Sequence, residues 1–258
     1  MKRLTLFALL ALLICAILIF FLTSDRQSGS YKIMGTTLKI TVKDRRASVH
    51  IPAAVARMRE IEKLLSRYDS KSEVGRLNRG EKFKLSRDTR QCLALAKKAK
   101  QLTAGAFDVY YSGKLNLDGI GKGYAVEEAR RFLYKRGVKN AIIDMGSSIA
   151  VLGGPWRIGI KHPRFKDQIL GIIVLSDQEA LSTSGDYEQG RHIIDPRTKR
   201  PALGCQAVTV VTRDAGLADA LSTGIFVLGP KKGMALAEQL GLKVMIVAAD
   251  GKIFKHNL

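Results

Sequence analysis

The segment Asp214-Ala-Gly-Leu-Ala-Asp219-Ala-Leu-Ser-Thr223-Gly-Ile-Phe-Val-Leu-Gly229 carries a carboxylate and a hydroxyl, Asp219 and Thr223, at i and i+4 in an apolar, helix-like run. That spacing puts both oxygens on one helical face. Hard oxygen donors so placed suit Mg²⁺, which takes one or two carboxylates and completes its shell with water and substrate phosphates. The competing reading is a cap or a hydrogen-bonded core carboxylate, the usual fate of a buried polar group.

In a second segment, Gly119-Ile-Gly121-Lys122-Gly123-Tyr124, glycines and a lysine stand directly before a helix. Backbone N–H groups and a helix N-terminus can face phosphate in this arrangement. It is not a dinucleotide fingerprint, because Tyr124 stands where that motif needs glycine, nor a Walker loop, because Gly123 follows Lys122. The alternative is a tight helix entry built on permissive glycines. The third segment, Ser182-Thr183-Ser184-Gly185-Asp186-Tyr187, reads as a small-residue turn followed by His192-Ile193-Ile194-Asp195-Pro196. A turn beside a histidine can shape a pocket and supply a general base. The chain has no Gly-x-Ser-x-Gly elbow and no histidine pair at i, i+4, so neither the serine-hydrolase nor the zinc-hydrolase motif is present.

The elements that must position these groups follow from periodicity. Tyr31–Val42 reads as a strand broken at Met34-Gly35. Pro52–Arg67 has helical apolar spacing, as do Arg87–Leu102 and Gly123–Lys135, the last stopping at Gly137. Strands are expected at Ala141–Leu152, Trp156–Ile160, Ile169–Leu175 and Ala207–Thr212. The Asp219 helix is followed by a helix over Lys231–Leu240 and a strand over Leu242–Ala248, with Asp250-Gly251 turning into Ile253-Phe254. The organisation is a single α+β unit over residues 31–258, preceded by a Ser/Gly linker at 24–30 and a membrane segment at 1–23.

Met1-Lys2-Arg3 precedes an apolar run from Leu4 to Leu22, interrupted only by Thr5 and Cys15. The run approaches the ~20 residues that cross a bilayer and exceeds the usual core of a cleaved signal, so an uncleaved anchor is preferred over a signal peptide. The basic start belongs inside, which puts the folded domain on the extracytoplasmic side of the inner membrane. Lys and Arg total 43 against 23 Asp and Glu, a net charge of +20. Nucleic acid, an anionic membrane or a phosphorylated substrate could each answer that charge, and with no nucleic-acid-binding motif in the chain, nucleic acid is not expected as a partner. Cys92 and Cys205 have no metal-site spacing and are expected as buried thiols.

Taken in order, these segments resemble the ApbE family, the FAD:protein FMN transferases. Met34-Gly35-Thr36, Tyr68 with Ser72-Glu73 and Leu77-Asn78, Thr103-Ala-Gly105-Ala106-Phe107-Asp108, and Gly119–Tyr124 match the family's motifs. Ser184-Gly-Asp186, His192–Pro196 and Ala218–Thr223 complete the series. The resemblance implies an α+β, tunnelling-fold-like domain with mixed or antiparallel sheets and flanking helices. It implies transfer of FMN from FAD to a Thr or Ser hydroxyl of an exported client flavoprotein, a subunit of a membrane redox complex, with release of AMP.

By the same resemblance, Asp219, Thr223 and the Gly119 carbonyl hold Mg²⁺, Lys122 reaches the phosphates, and His192 accepts the client's proton. Tyr68 stacks on the isoalloxazine, while Met34, Ala106, Phe107, Asp108, Asn116 and Ile193 line the FAD site, and Ser184 and Asp186 close it. Asn116 stands where relatives usually carry Asp, with Asp118 as a possible compensating carboxylate, and Glu127 replaces an Asp. An FAD pyrophosphatase using the same metal site and a non-catalytic flavin carrier are the alternative functions.

Overall fold

In Thr36-Thr-Leu38-Lys-Ile40-Thr-Val42-Lys, apolar and polar residues alternate, so a strand buries Leu38, Ile40 and Val42 on one face. The computed structural model describes residues 26–165, 167–186, 190 and 192–258. The strands are β1 (Arg26–Ile33), β2 (Thr36–Lys43), β3 (Ala141–Asp144), β4 (Ser148–Leu152), β5 (Trp156–Lys161), β6 (Ile169–Leu175), β7 (Ala180–Gly185), β8 (Cys205–Thr212), β9 (Lys243–Ala248) and β10 (Ile253–His256). The helices are α1 (Ala47–Leu65), α2 (Glu73–Asn78), α3 (Arg87–Leu102), α4 (Gly121–Lys135) and α5 (Ala215–Gln239), the last broken at Gly229 (φ 76°) ahead of Pro230, so that the helix expected from Lys231 is its second half.

Eight strands form one sheet in the order β1-β2-β3-β4-β7-β8-β9-β10, and β5 pairs with β6 in a separate hairpin. All the strand pairings are antiparallel. One face of the large sheet is covered by helices: α1 and α4 share a core with β2 and β3, and α5 packs on β8 and β9. The other face is covered by the hairpin, whose Ile158, Ile160, Ile173 and Leu175 meet Ile149, Val151, Leu181 and Val211. Covering on both faces is why β4 and β8 are almost wholly buried, polar Ser148, Gln206 and Thr209 included.

Several expectations are corrected. Residues 26–30 are not linker but the start of β1, held to β2 by backbone pairing and by Ser28 Oγ 2.8 Å from Thr41 Oγ1. The Tyr31 ring lies over Gly29, where a Cβ would stand 2.6 Å from its Cε2, so the Ser/Gly composition serves an edge strand. Helix α1 starts at Ala47, ahead of Pro52, because Ala47 and Ile51 extend the buried stripe of Ala54, Val55, Met58, Ile61 and Leu65. The stretch Ala141–Leu152 is two strands around a Met145–Ser147 turn. The supposed turn at Ser182–Gly185 belongs to strand β7, and α2 is an additional short helix capped by Ser72. The apolar run Leu4–Leu22 lies outside the described residues; among the described residues no helix is long and apolar enough to cross a membrane. Cys92 and Cys205 are buried free thiols, as expected.

Candidate active site

Two residues along a strand span about 6.7 Å, close to the roughly 6 Å rise of four residues along a helix. Strand β7 and helix α5 meet in this register. Ser182 Oγ donates to Asp219 Oδ1 at 3.1 Å, and Ser184 Oγ lies 2.9 Å from Thr223 Oγ1. The i, i+4 pair of the helix is thus matched by an i, i+2 pair of serines on one face of the strand. Ser148 of the adjacent β4 adds a hydroxyl 3.1 Å from Ser182 Oγ. Asp219 is 5% exposed. Burial pushes its pKa up, while Lys122, the Gly123 N–H and the Ser182 hydroxyl pull it back toward the charged form.

Its second oxygen, Oδ2, accepts the Gly123 N–H at 2.9 Å. This contact decides between the two readings of the glycine-rich segment. Gly121 N donates to the Leu117 carbonyl and Gly123 N to Asp219, so the start of α4 is occupied by protein acceptors instead of offering an open phosphate cradle. A Cβ on Gly123 would stand 2.6 Å from the Asp219 Cβ and closer still to the Ala215 carbonyl oxygen, so glycine there allows α4 to touch α5. The Lys122 side chain is half-buried and lines the cavity. A Gly123→Ala variant is expected to lose about 1–3 kcal/mol of stability through overpacking, measured by denaturant unfolding, with the Asp219 carboxylate displaced. Glu127 reinforces the same junction: Ala215 N donates to its Oε2 at 3.1 Å, and Arg130 and Arg131 neutralise its charge.

These groups stand at one end of a cavity of about 510 Å³. Met34 and Gly35, at the β1–β2 hairpin, form one wall; both have positive φ (47° and 72°), as a two-residue type I′ turn requires. Met34 N donates to Glu62 Oε1 at 2.6 Å, which ties the turn to α1. Tyr68 follows the end of α1 and is 79% exposed, an aromatic platform at the cavity rim. The Arg67 guanidinium lies 4.4 Å from its ring centre and donates to Asp118 Oδ2 at 2.8 Å.

Ala106, Phe107 and Asp108 line the cavity after α3, with Phe107 N bonded to Thr103 Oγ1 at 3.0 Å. Asp108 is half-buried, which alone would raise its pKa; Lys100 at 2.7 Å and the Tyr110 N–H hold it below the ordinary carboxylate range. Asn116 also lines the cavity, its Oδ1 accepting Asp118 N at 2.9 Å and its Nδ2 donating to the Tyr111 hydroxyl at 3.3 Å. It organises the turn, and the nearby carboxylate of Asp118 is committed to Arg67.

Gly119 lies against the metal-suited end: a Cβ there would stand 3.6 Å from Thr223 Oγ1 and 3.2 Å from the Phe107 ring. His192 and Ile193 also line the cavity. His192 Nδ1 is 2.9 Å from the Gly190 carbonyl oxygen. A carbonyl only accepts, so Nδ1 carries the proton and Nε2 of the neutral ring keeps a free lone pair. Asp186 is the exception among the expected site residues. It lies outside the cavity wall and is clamped by Arg164, with its two oxygens 2.7 and 2.9 Å from the guanidinium.

Asp219, Thr223, Ser184 and the Gly119 backbone supply only oxygen donors. Among the described residues no group of three or more His, Cys, Asp or Glu gathers to hold a metal. One buried carboxylate with hydroxyls fits Mg²⁺, which leaves most of its shell to water and phosphate, far better than zinc, which takes a full nitrogen, sulfur or carboxylate set. The sequence singles out Ser182 only as part of a turn and gives no sign of Ser148, Arg67 or Glu62 at the site. The Ser182/Ser184 alternation was the one available signal, hidden because small polar residues resemble a turn.

The sequence profile of the ApbE family matches residues 34–113 and 111–246. The chain belongs to the ApbE family. Among curated relatives of this ApbE-family chain, the FAD:protein FMN transferase of Rhodobacter capsulatus is 35% identical over 178 residues, covering 63% of this chain and 34% of the relative. That of Vibrio cholerae is 33% identical over 156 residues, covering 55% and 47%. The chain therefore spans half or less of the length of these curated relatives. The solved flavin transferase ApbE from Vibrio cholerae superposes with a TM-score of 0.82 at 26% identity, covering 90% of this chain and 97% of that one. The ApbE protein of Thermotoga maritima gives 0.81 at 26% identity, with the same coverage.

Proposed function

We propose that this chain is an FAD:protein FMN transferase: it moves FMN from FAD to a Thr or Ser hydroxyl of an exported client and releases AMP. The reading rests on the buried Asp219 carboxylate, which lines a cavity shared with Lys122, Thr223 and His192. Mg²⁺ held by Asp219, Thr223 and the Gly119 carbonyl would offset charge on the pyrophosphate during in-line displacement.

The chain's own groups supply the remaining chemistry. Lys122 places a compact positive charge beside the same phosphates. Tyr68 offers a ring face for the isoalloxazine, with Met34 and Phe107 as apolar walls. The client oxygen bonds to the phosphorus of the FMN half as the bond from that phosphorus to the bridging oxygen breaks. AMP leaves with the bridging oxygen, and the hydroxyl proton passes to His192 Nε2. A Tyr68→Ala variant is expected to raise the KM for FAD by about 10- to 100-fold, from loss of stacking worth roughly 1–3 kcal/mol, with kcat little changed and Tyr68→Phe restoring KM.

The family resemblance points to an exported redox subunit as client, and the Leu4–Leu22 run to an anchor in the inner membrane with this domain outside the cytoplasm. A direct test measures AMP release from FAD and Mg²⁺ with and without a redox-subunit domain bearing an acceptor threonine. Release that requires the acceptor supports transfer. Equal release without it makes the protein a pyrophosphatase, and flavin binding without AMP release makes it a carrier.

A further inference from the structure

The β5–β6 hairpin takes no part in the site, and its two faces differ from those of an ordinary outer strand pair. Ile158, Ile160, Ile173 and Leu175 point into the core, while Ile169, Ile172 and Val174 point outward, 59%, 48% and 46% exposed. Across the hairpin these three face Lys161, Gly159 and Arg157 in turn. A sheet with one face in the core normally turns polar residues outward. Here the outer face is a flat strip of β-branched side chains with cations along one edge. Apolar side chains flanked by Lys and Arg suit the boundary between headgroups and acyl chains of an anionic bilayer.

Chain geometry brings this strip to a membrane. Arg26 pairs with Lys43 across β1 and β2, and Lys43 Nζ lies 4.8 Å from the centre of the Trp156 ring at the start of β5. Only Thr23, Ser24 and Asp25 separate Arg26 from Leu22, the end of the apolar run. Those four steps reach at most about 14 Å. A run that anchors the chain therefore holds the Trp156 end of the hairpin beside the bilayer surface.

We propose that the outer face of the β5–β6 hairpin lies on the anionic membrane surface, with Ile169, Ile172 and Val174 in the interfacial layer and Arg157 and Lys161 on lipid phosphates. The inference rests on the anchoring reading of Leu4–Leu22. Hairpin and anchor together then fix the orientation of the domain. The helical layer that carries Asp219 and Lys122, on the opposite face of the sheet, is turned away from the bilayer toward a client.

The test uses the full chain in phosphatidylethanolamine–phosphatidylglycerol vesicles with brominated or ordinary acyl chains. Trp156 is the single tryptophan, so a Trp156→Phe background with Ile172→Trp or Val174→Trp reports on the strip, and one with Tyr134→Trp reports on the exposed surface of α4. Emission from positions 172 and 174 is expected to be largely quenched by brominated lipid, with position 134 unaffected and Arg157→Glu plus Lys161→Glu relieving the quench. Flotation of the same preparations separates the premises. A chain that does not float with the vesicles removes the anchor and the inference together; one that floats with no more quenching at 172 and 174 than at 134 overturns the hairpin contact alone. Hydrogen exchange on the unsubstituted chain is a second readout: protection of Ile172–Val174 by vesicles is expected, and its absence overturns the proposal.

Discussion

An Asp219→Asn variant is expected to stay folded and lose flavin transfer by about 10³-fold or more, roughly 4 kcal/mol of barrier. The side chain keeps its shape, so the carbonyl end can still accept from Ser182 or from the Gly123 N–H, the two donors that now hold the carboxylate. The lost feature is a buried negative charge in the cavity, the carboxylate proposed to hold Mg²⁺. Because burial already disfavours that charge, neutralising it removes a desolvation cost, and the metal-free variant should be at least as stable as the wild type. Thermal melts with and without Mg²⁺ separate the roles. The wild type gains stability by about 2.7 kcal/mol at a hundredfold excess over Kd, and the variant gains none. A variant that unfolds in both conditions would assign Asp219 to architecture alone.

Replacing His192 with alanine is expected to lower kcat for transfer by about 10²–10⁴-fold, the usual contribution of a positioned general base. The ring is exposed, and among the described residues it bonds through Nδ1 to the exposed Gly190, so its removal leaves no buried group unsatisfied there. Stability and FAD affinity should therefore hold, with the loss confined to turnover. Added imidazole should restore part of the rate, since it supplies the missing lone pair. A variant with weakened FAD binding and unchanged kcat would assign His192 to substrate binding.

The metal-suited pair was legible because Asp219 and Thr223 carry their meaning in a local, helical spacing. Their support was not, because it comes from a distant strand. Ser182, Ser184 and Ser148 are small and polar, a composition shared by turns, and only the burial and pairing of β7 reveal them as the inner face of a sheet. The same ambiguity hid the first residues of β1, where backbone pairing to β2 outweighs a linker-like composition. Gly119–Tyr124 left two readings open, and a contact across 96 positions in the chain, from Gly123 to Asp219, resolves them. Asp186 belongs to the right segment, yet it pairs with Arg164 and is not part of the cavity wall, and no local pattern announces that pairing. The outward strip of β6 was readable as a strand, but its exposure depends on what lies beneath the hairpin.

In the proposed reaction a client hydroxyl displaces AMP at the cavity that Asp219 lines. The most direct test incubates the protein with FAD, Mg²⁺ and a redox-subunit domain bearing an acceptor threonine, then follows intact mass and flavin fluorescence on the denatured client. The client is expected to gain one covalently bound FMN, matched by one AMP, and both signals should vanish with chelator or with Asp219→Asn. AMP released without flavin on the client, or flavin attached equally well by the Asp219→Asn variant, would contradict it.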